Sequence, residues 1–383
     1  MKIKWGFSFL FVLFILTFLT IKNYQNRVYD WDLPGYLGCL YSLEFPDSQD
    51  KVHEMTYSSI KKEASPLQYK DISGLLKPNK AVQSFKRNAK SFGKQLPYYK
   101  IKVGYNLIIL FLYTIGFSSP LSVLLVSIIS YFLSGLVLFY MLKILFPDHY
   151  LITLLLTIGI LLLPPLQFMS KIPCPDMLGF LFLLIFMLGL FKNWNQWVIF
   201  LILLTSVLIR PDYIVFALTY LLAIIIYKFI KENKSIDFNA VFQGILLLSL
   251  YISIIKYYNY PGWKDLFYDT FIERRPFISV QPASFTVNDY VEILFNKLIH
   301  FKKVTLSAVT IFVLIFYFSK DFWIRVMSVF IFANIYLKFL FFPDSASIRF
   351  FFGFIILLFI MLLYALSKKY TGFNSAKFRN FTL

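Results

Sequence analysis

The chain has 383 residues, of which 58% are hydrophobic, 20% aromatic and only 15% charged. Its mean hydropathy of +0.68 and low charge exclude an ordinary soluble domain, in which about a quarter of the residues are charged. The net charge of +18 is scattered between apolar segments, which indicates membrane topology and anionic lipid rather than a nucleic-acid partner. We therefore predict an all-α integral membrane protein with a single polytopic domain over residues 1–383.

The first predicted element is an apolar helix over about residues 5–21, preceded by the basic residues Lys2 and Lys4. Its length suits a membrane span, and no small-residue cleavage site follows it, so we expect an uncleaved anchor rather than a signal peptide. Apolar segments of this kind number on the order of ten. They lie at about 5–21, 119–145, 150–169, 176–191, 196–209, 212–229, 239–257, 304–318, 322–341 and 349–366.

Two polar stretches interrupt these segments. Residues 22–118 are predicted to form a first extracytoplasmic loop with juxtamembrane helices, and residues 258–303 a second extracytoplasmic insert. Both are far longer than ordinary connections, which indicates a function. Residues 367–383 read as a basic cytoplasmic tail.

The topology depends on the segment from Tyr105 to Phe117, which is short for a hydrocarbon core of about 30 Å. If this segment spans, the later loops invert. If it lies along the interface, the basic ends of the later spans share a side with Lys2 and Lys4, as the positive-inside rule favours. We then expect both termini in the cytoplasm and a multi-pass protein of the plasma membrane (the inner membrane in a two-membrane cell).

The interfacial arrangement brings five polar segments to the outer face: residues 29–36, 171–176, 210–213, 273–277 and 342–349. Asp30 and Asp32 flank Trp31 in the first of them. One carboxylate could act as a general base on an acceptor hydroxyl while the other holds a cation or orients the acceptor. The alternative is a solvated turn in which Asp32 caps the next helix.

Further acidic residues open later spans. Asp176 follows Pro175, where it is a third catalytic candidate or simply complements a helix dipole. Asp212 stands two residues after Arg210, and the two are candidate substrate-binding residues or merely pair with each other. The cations at this face match phosphate oxygens, although they could equally hold lipid head groups. They are Lys171, Arg210, Arg274, Arg275 and Arg349.

Tyr36 and His53 are the remaining substrate-binding candidates in the first loop. A tyrosine ring suits a sugar face, and a histidine can act as a base or a hydrogen-bond partner. The alternatives are an interfacial aromatic belt and an ordinary loop histidine.

Metal and nucleotide chemistry find little support. Cys39 and Cys174 form no CxxC, and the three histidines have no ligand spacing, so we predict no zinc or iron–sulfur site. The sequence contains no phosphate-binding glycine loop and no hydrolase nucleophile motif. These residues assign no cofactor. Binding of a divalent cation and a disulfide between Cys39 and Cys174 both stay open at the level of sequence.

Over about residues 1–230 the sequence resembles the GT-C superfamily of polytopic glycosyltransferases, the group with lipid A aminoarabinose transferases and protein O-mannosyltransferases. The resemblance rests on the amino-terminal anchor, "YDWD", the juxtamembrane "YYKIKVGYNLIILFLYTIGFSSP", "MLKILFPD", "PPLQFMSKIPCPDMLGFLFLL" and "LTSVLIRPDYIVF". It implies a polyprenyl-phosphate sugar donor and inverting transfer to an extracytoplasmic glycan, lipid or protein acceptor. It matches the base to Asp30 or Asp32, the second-loop acid to Asp176 and a late basic residue to Arg349. Departures from the family are the lack of a large soluble carboxy-terminal domain and a "DWD" that leaves the base ambiguous.

Two other functions stay open at the level of sequence. An O-antigen or capsule polymerase would depend on Arg274 and Arg275 to hold pyrophosphate. A flippase or transporter of lipid-linked glycans needs charged groups inside spans, which are scarce here apart from residues such as Lys338.

Overall fold

The computed structural model describes residues 2–76, 78–231, 237–278, 280–343 and 348–370, and within these ranges it contains helices and no strand. The helices are α1 (Lys2–Gln25), α2 (Leu33–Glu44), α3 (Gln49–Glu63), α4 (Pro66–Ile72), α5 (Lys80–Arg87), α6 (Ala89–Gln95), α7 (Pro97–Lys100), α8 (Val103–Thr114), α9 (Ser119–Leu145), α10 (Tyr150–Leu161), α11 (Pro164–Lys171), α12 (Asp176–Phe191), α13 (Gln196–Ile209), α14 (Ile214–Lys231), α15 (Phe238–Tyr257), α16 (Trp263–Phe271), α17 (Val287–His300), α18 (Lys302–Phe318), α19 (Phe322–Phe341) and α20 (Arg349–Tyr370). A 3₁₀ turn, Pro211–Tyr213, joins α13 to α14.

The predicted all-α integral membrane protein is confirmed. By length and composition, six helices of the described chain can cross a membrane, and the number rises to eight if each of two bent pairs forms one span. The bent pairs are α10 with α11, at 57°, and α17 with α18, at 70°. The sequence count of ten includes α12 and α13, which at 16 and 14 residues are shorter than an ordinary span, so that count stays a prediction.

Prolines set the helix ends that matter for the site. Pro164 divides the single apolar segment predicted at 150–169 into α10 and α11, because proline lacks an N–H and restrains the residue before it. Pro175 precedes the first turn of α12, and Pro211 opens the 3₁₀ turn after α13. Asp176 and Asp212 each follow one of these prolines, so both lie where a helix begins.

Two glycines allow the helices around the site to approach closely. A side chain at Gly353 of α20 would lie 2.9 Å from a methyl carbon of Leu183 in α12. A side chain at Gly179 of α12 would lie 3.0 Å from the hydroxyl of Tyr213. One helical turn before these glycines stand Arg349 and Asp176, so the close packing brings both side chains into the same space.

The two ends of the bundle are covered differently. One end carries Lys4 against Tyr150, Lys143 against Trp5 and Lys192 against Tyr140. At the same end, Lys228 pairs with Asp237 and Lys368 with Asp321. The opposite end is covered by α2 to α8 and by α16. The predicted basic tail falls mainly on residues 371–383, outside the described residues, because α20 runs to Tyr370.

The second insert is attached to the covered end. Trp263 Nε1 donates a hydrogen bond to the carbonyl oxygen of Phe341 at 2.8 Å, where α19 ends. Tyr98, in the first loop, donates through its hydroxyl to Asp269 at 2.7 Å. Both long polar stretches therefore meet at this end. Helix α8 extends only about 18 Å along its axis, which is shorter than a membrane core of about 30 Å.

Candidate functional site

Three carboxylates from two separate parts of the chain surround one guanidinium. Arg349 Nη1 lies 4.0 Å from Asp30 Oδ2, Nη2 lies 3.7 Å from Asp32 Oδ2, and Nε lies 3.6 Å from Asp176 Oδ2. We call these four residues the Arg349 cluster. The structure therefore brings together the three predicted catalytic carboxylates and the late basic residue, although more than 300 positions separate Asp30 from Arg349.

The turn after α1 holds the first two carboxylates. The backbone N–H of Val28 donates to the carbonyl oxygen of Lys171 at 2.9 Å, which ties the turn to the end of α11. The backbone N–H of Asp32 donates to Asp30 Oδ1 at 3.2 Å. Asp32 is the N-cap residue of α2, yet its side chain caps no backbone N–H and instead accepts a hydrogen bond from the Tyr99 hydroxyl at 3.2 Å. A simple capping role therefore does not explain Asp32.

The ion-pair network continues beyond the cluster. Arg210 pairs with Asp176, and its Nε lies 3.1 Å from Asp212 Oδ1. Lys338 Nζ lies 2.9 Å from Asp212 Oδ2. Arg210 and Asp212 pair with each other, which is the alternative that the sequence left open beside substrate binding. They also connect Asp176 to Lys338 of α19. In the sequence, Lys338 stands out as a lone lysine inside an apolar span, which is the feature that indicates its place in the site.

Lys102 is a cation of the site that sequence reasoning missed. Its Nζ donates to the Tyr36 hydroxyl at 2.6 Å and lies about 5 Å from the centres of the Tyr36 and Tyr99 rings. Burial lowers the pKa of Lys102. Within the described chain, no carboxylate oxygen lies within 4.0 Å of its Nζ, so this cation retains capacity for an anionic ligand. Tyr36, predicted as a sugar contact, is itself buried and supports Lys102.

The electrostatics of the site raise the pKa of Asp30. Burial, and next the charge of Asp32, raise the pKa of Asp30 to about 8, although Arg349 opposes the shift. A carboxyl group ordinarily titrates near 4, so Asp30 is an unusually strong base that loses its proton close to neutral pH. A general base works best when its pKa is near the working pH.

The space beside the cluster is small. Asp176, Arg210 and Arg349 line a cavity of about 10 Å³ together with Met169, Phe180, Leu183, Tyr213, Phe350, Gly353 and Phe354. Such a volume admits about one water molecule. Binding of a sugar phosphate therefore requires these helices to separate.

Arg274 lies at the edge of the site. Its guanidinium lies 5.7 Å from the centre of the Trp31 ring, and its Nη2 donates to Gln95 Oε1 at 3.2 Å. Trp31 is 49% exposed, although it stands between two carboxylates of the cluster. The second insert thus contributes one of its two predicted arginines to the surroundings of the first-loop turn.

Three predicted residues have other surroundings. Arg275 is buried, with its Nε 2.7 Å from Asp269 Oδ1 and its Nη2 2.8 Å from Asp265 Oδ1, so it holds the second insert together. His53 contacts the carbonyl oxygen of Phe85 at 2.9 Å and packs between Tyr57 and Phe92. Lys171 ends α11, and its side chain makes no ion pair with any described residue.

The donor set bears on the open question of a metal ion. Across the described residues, no group of three or more His, Cys, Asp and Glu side chains has the arrangement of a metal site. The three carboxylates of the cluster face the Arg349 guanidinium, which supplies the positive charge between them. Cys39 and Cys174 are separate buried thiols, and Cys174 donates to Asp176.

Comparison with known proteins finds no matching family model, no matching curated protein and no matching solved structure.

Proposed function

We propose that this protein is a membrane glycosyltransferase of GT-C type that moves a sugar from a polyprenyl-phosphate donor to an extracytoplasmic acceptor. The observation that carries the proposal is the Arg349 cluster, in which acids from the turn after α1 and the start of α12 meet a guanidinium of α20 at one end of a membrane bundle. Acids can activate a hydroxyl, and cations can stabilise a departing phosphate.

Asp30 is the proposed base, because its raised pKa gives the carboxylate a high affinity for a proton. The acceptor hydroxyl gives its proton to Asp30 as its oxygen bonds to the anomeric carbon of the sugar. The bond from that carbon to the phosphate oxygen breaks, and its electron pair leaves with the phosphate. Attack opposite the leaving group inverts the anomeric centre.

The cations of the site are the proposed phosphate ligands. Arg349 and Arg210 present forked N–H donors that match phosphate oxygens, and Lys102 adds a cation that lies within 4.0 Å of no described carboxylate. In the described conformation, the carboxylate oxygens of Asp30, Asp32 and Asp176 lie 3.6–4.0 Å from the Arg349 guanidinium, and Arg349 Nε has no hydrogen-bond partner among the described residues. A donor phosphate that takes their place on Arg349 would free Asp30 to act on the acceptor.

The proposed orientation puts this site outside the cytoplasm. The opposite end of the bundle carries lysines in or directly after five helices, α1, α9, α12, α14 and α20, and the positive-inside rule assigns such an end to the cytoplasm. Both ends of the chain then face the cytoplasm, in the plasma membrane. The short α8, whose Tyr113 bonds to Glu44 at the end of α2, supports the interfacial placement.

The polymerase alternative has weaker support. It depends on Arg274 and Arg275 acting together on pyrophosphate, but two aspartates and the carbonyl oxygen of Gln281 already occupy the Arg275 guanidinium. Arg274 alone lies near the first-loop turn.

The test is transfer in proteoliposomes that contain the purified full-length protein, a panel of radiolabelled polyprenyl-phosphate sugars and lipid-linked or peptide acceptors. We expect transfer by the parent protein and a loss of about 10²- to 10⁴-fold in Asp30→Asn. Asp321→Asn is the matched control, because Asp321 caps α19 at the opposite end and asparagine caps equally well. Equal transfer by parent, Asp30→Asn and Asp32→Asn would rule out the proposed base.

A further inference from the structure

Helix α17 has an apolar face that no described part of the protein covers. Val287, Val291, Phe295, Leu298 and Ile299 recur at helical spacing and so share one side of the helix. These five side chains are between 43% and 77% exposed. No residue of α17 is buried, although the helix has 14 residues. Such a contiguous apolar face indicates a partner.

The other side of α17 is polar and faces a cavity. Asp289, Glu292 and Asn296 share this side and, with Ile293, form one wall of a cavity of about 370 Å³. Tyr268 and Phe271 of α16, Ile272 directly after it, and the connecting Ser284 and Phe285 form the rest. The helix therefore separates an aqueous cavity from an apolar surface, as amphipathic helices at membrane surfaces do.

The position of α17 also indicates a membrane surface. Its Tyr290 hydroxyl donates to the carbonyl oxygen of Leu340 at 2.8 Å, which places α17 at the end of α19 that lies near the Arg349 cluster. It bends by 70° into α18, and the two helices together are long and apolar enough to form one bent membrane segment. Leu306, Val309 and Val313 of α18 are exposed and apolar, as expected where a span meets lipid. A helix bent this strongly from a span runs close to the membrane surface.

Charge at the bend fits a lipid surface better than a second copy of a protein with a net charge of +18. Lys302 and Lys303 are exposed where α17 meets α18. Lysine side chains near the end of a membrane helix extend their ammonium groups to the lipid phosphates at the interface.

We propose that α17 is a membrane-surface helix whose apolar face lies in the lipid leaflet beside the Arg349 cluster, with phospholipid as its partner. The cavity between α16 and α17 then opens at the level of the lipid head groups. This inference does not depend on the proposed sugar transfer and is tested without substrate.

The experiment uses the full-length protein in vesicles of phosphatidylethanolamine and phosphatidylglycerol. Phe295→Cys and Val291→Cys carry a nitroxide label, and collision with oxygen, which partitions into lipid, is compared with collision with a water-soluble nickel chelate. Native Cys39 and Cys174 are 4% and 1% exposed, so labelling is directed to the introduced thiol, with the parent protein as blank. Asn296→Cys is the matched control on the cavity side, and Val313→Cys is a deep reference in α18.

We expect the labels at 291 and 295 to collide with oxygen several-fold more than with the chelate, and the label at 296 to show the reverse. Their depth should be about 5–10 Å, as for interfacial helices, and shallower than that at 313. Equal exposure of 295 and 296 to the chelate would overturn the proposal, because the face would then lie in water. Shielding of 291 and 295 from both reagents would also overturn it, in favour of a second protein copy.

Discussion

The effect of the Asp32 charge on the pKa of Asp30 can be measured by removing that charge. Both carboxylates lie on one guanidinium, at 4.0 and 3.7 Å, so their oxygens are within roughly 10 Å, where two unit charges interact by about 1.7 kcal/mol at an effective dielectric constant of about 20. That energy equals about 1.2 pKa units. Because the charge of Asp32 raises the pKa of Asp30, Asp32→Asn should lower that pKa from about 8 by about one unit.

Infrared difference titration of the purified protein measures this change without a substrate. Most carboxyl groups lose their protons near pH 4, so the band of a protonated carboxyl that persists above about pH 6 belongs to an exceptional group. We expect this band in the parent and in the Asp321→Asn control, an earlier disappearance in Asp32→Asn, and no such band in Asp30→Asn. A band that survives in Asp30→Asn, or that disappears at higher pH in Asp32→Asn, would refute the reasoning.

Three further predictions concern the supports of the site. Arg349→Ala should shift the Asp30 titration to higher pH, opposite to Asp32→Asn, because Arg349 lowers the pKa of Asp30. Arg349→Lys should keep the pKa of Asp30 closer to the parent value but recover less of the transfer rate, since lysine lacks a forked donor. Asp269→Asn should destabilise the second insert by about 3–5 kcal/mol in denaturation experiments, because it leaves the buried Arg275 without its main partner; Arg275→Met with Asp269→Leu should recover part of that loss. Gly35→Ala should lower the melting temperature and transfer, because its new Cβ would lie 2.5 Å from the Tyr99 ring, whereas Gly6→Ala, with open space around it, should change neither.

The sequence indicates the fold class clearly, because a lipid environment requires long apolar segments and these can be recognised without a structure. It does not settle the number of spans. Pro164 breaks one apolar segment into two helices. Helices α12 and α13 are short because the turn with Pro175 precedes the start of α12 and the turn with Pro211 follows the end of α13. Apolar length alone cannot distinguish a short span from a helix buried by its neighbours.

The candidate acids were recognisable because each stands at a polar break between apolar segments. Lys102 and Tyr99 were missed, because only the fold of the first loop places them near Asp32 and Tyr36. Arg274 and Arg275 look equivalent in sequence. The structure distinguishes them, because Asp269 and Asp265 of α16 pair with Arg275 and not with Arg274.

Under the proposed transfer, the small volume beside Asp176, Arg210 and Arg349 has a consequence for the activated sugar donor. Water competes with any acceptor as a nucleophile, so an open site would waste donor by hydrolysis. A resting site with space for a single solvent molecule keeps the donor out until α20 moves away from α12, where Leu183 faces Gly353. Under the proposed transfer, only a ligand that attracts Arg349 more strongly than its three carboxylates can open the site, and this requirement protects the donor from futile cleavage.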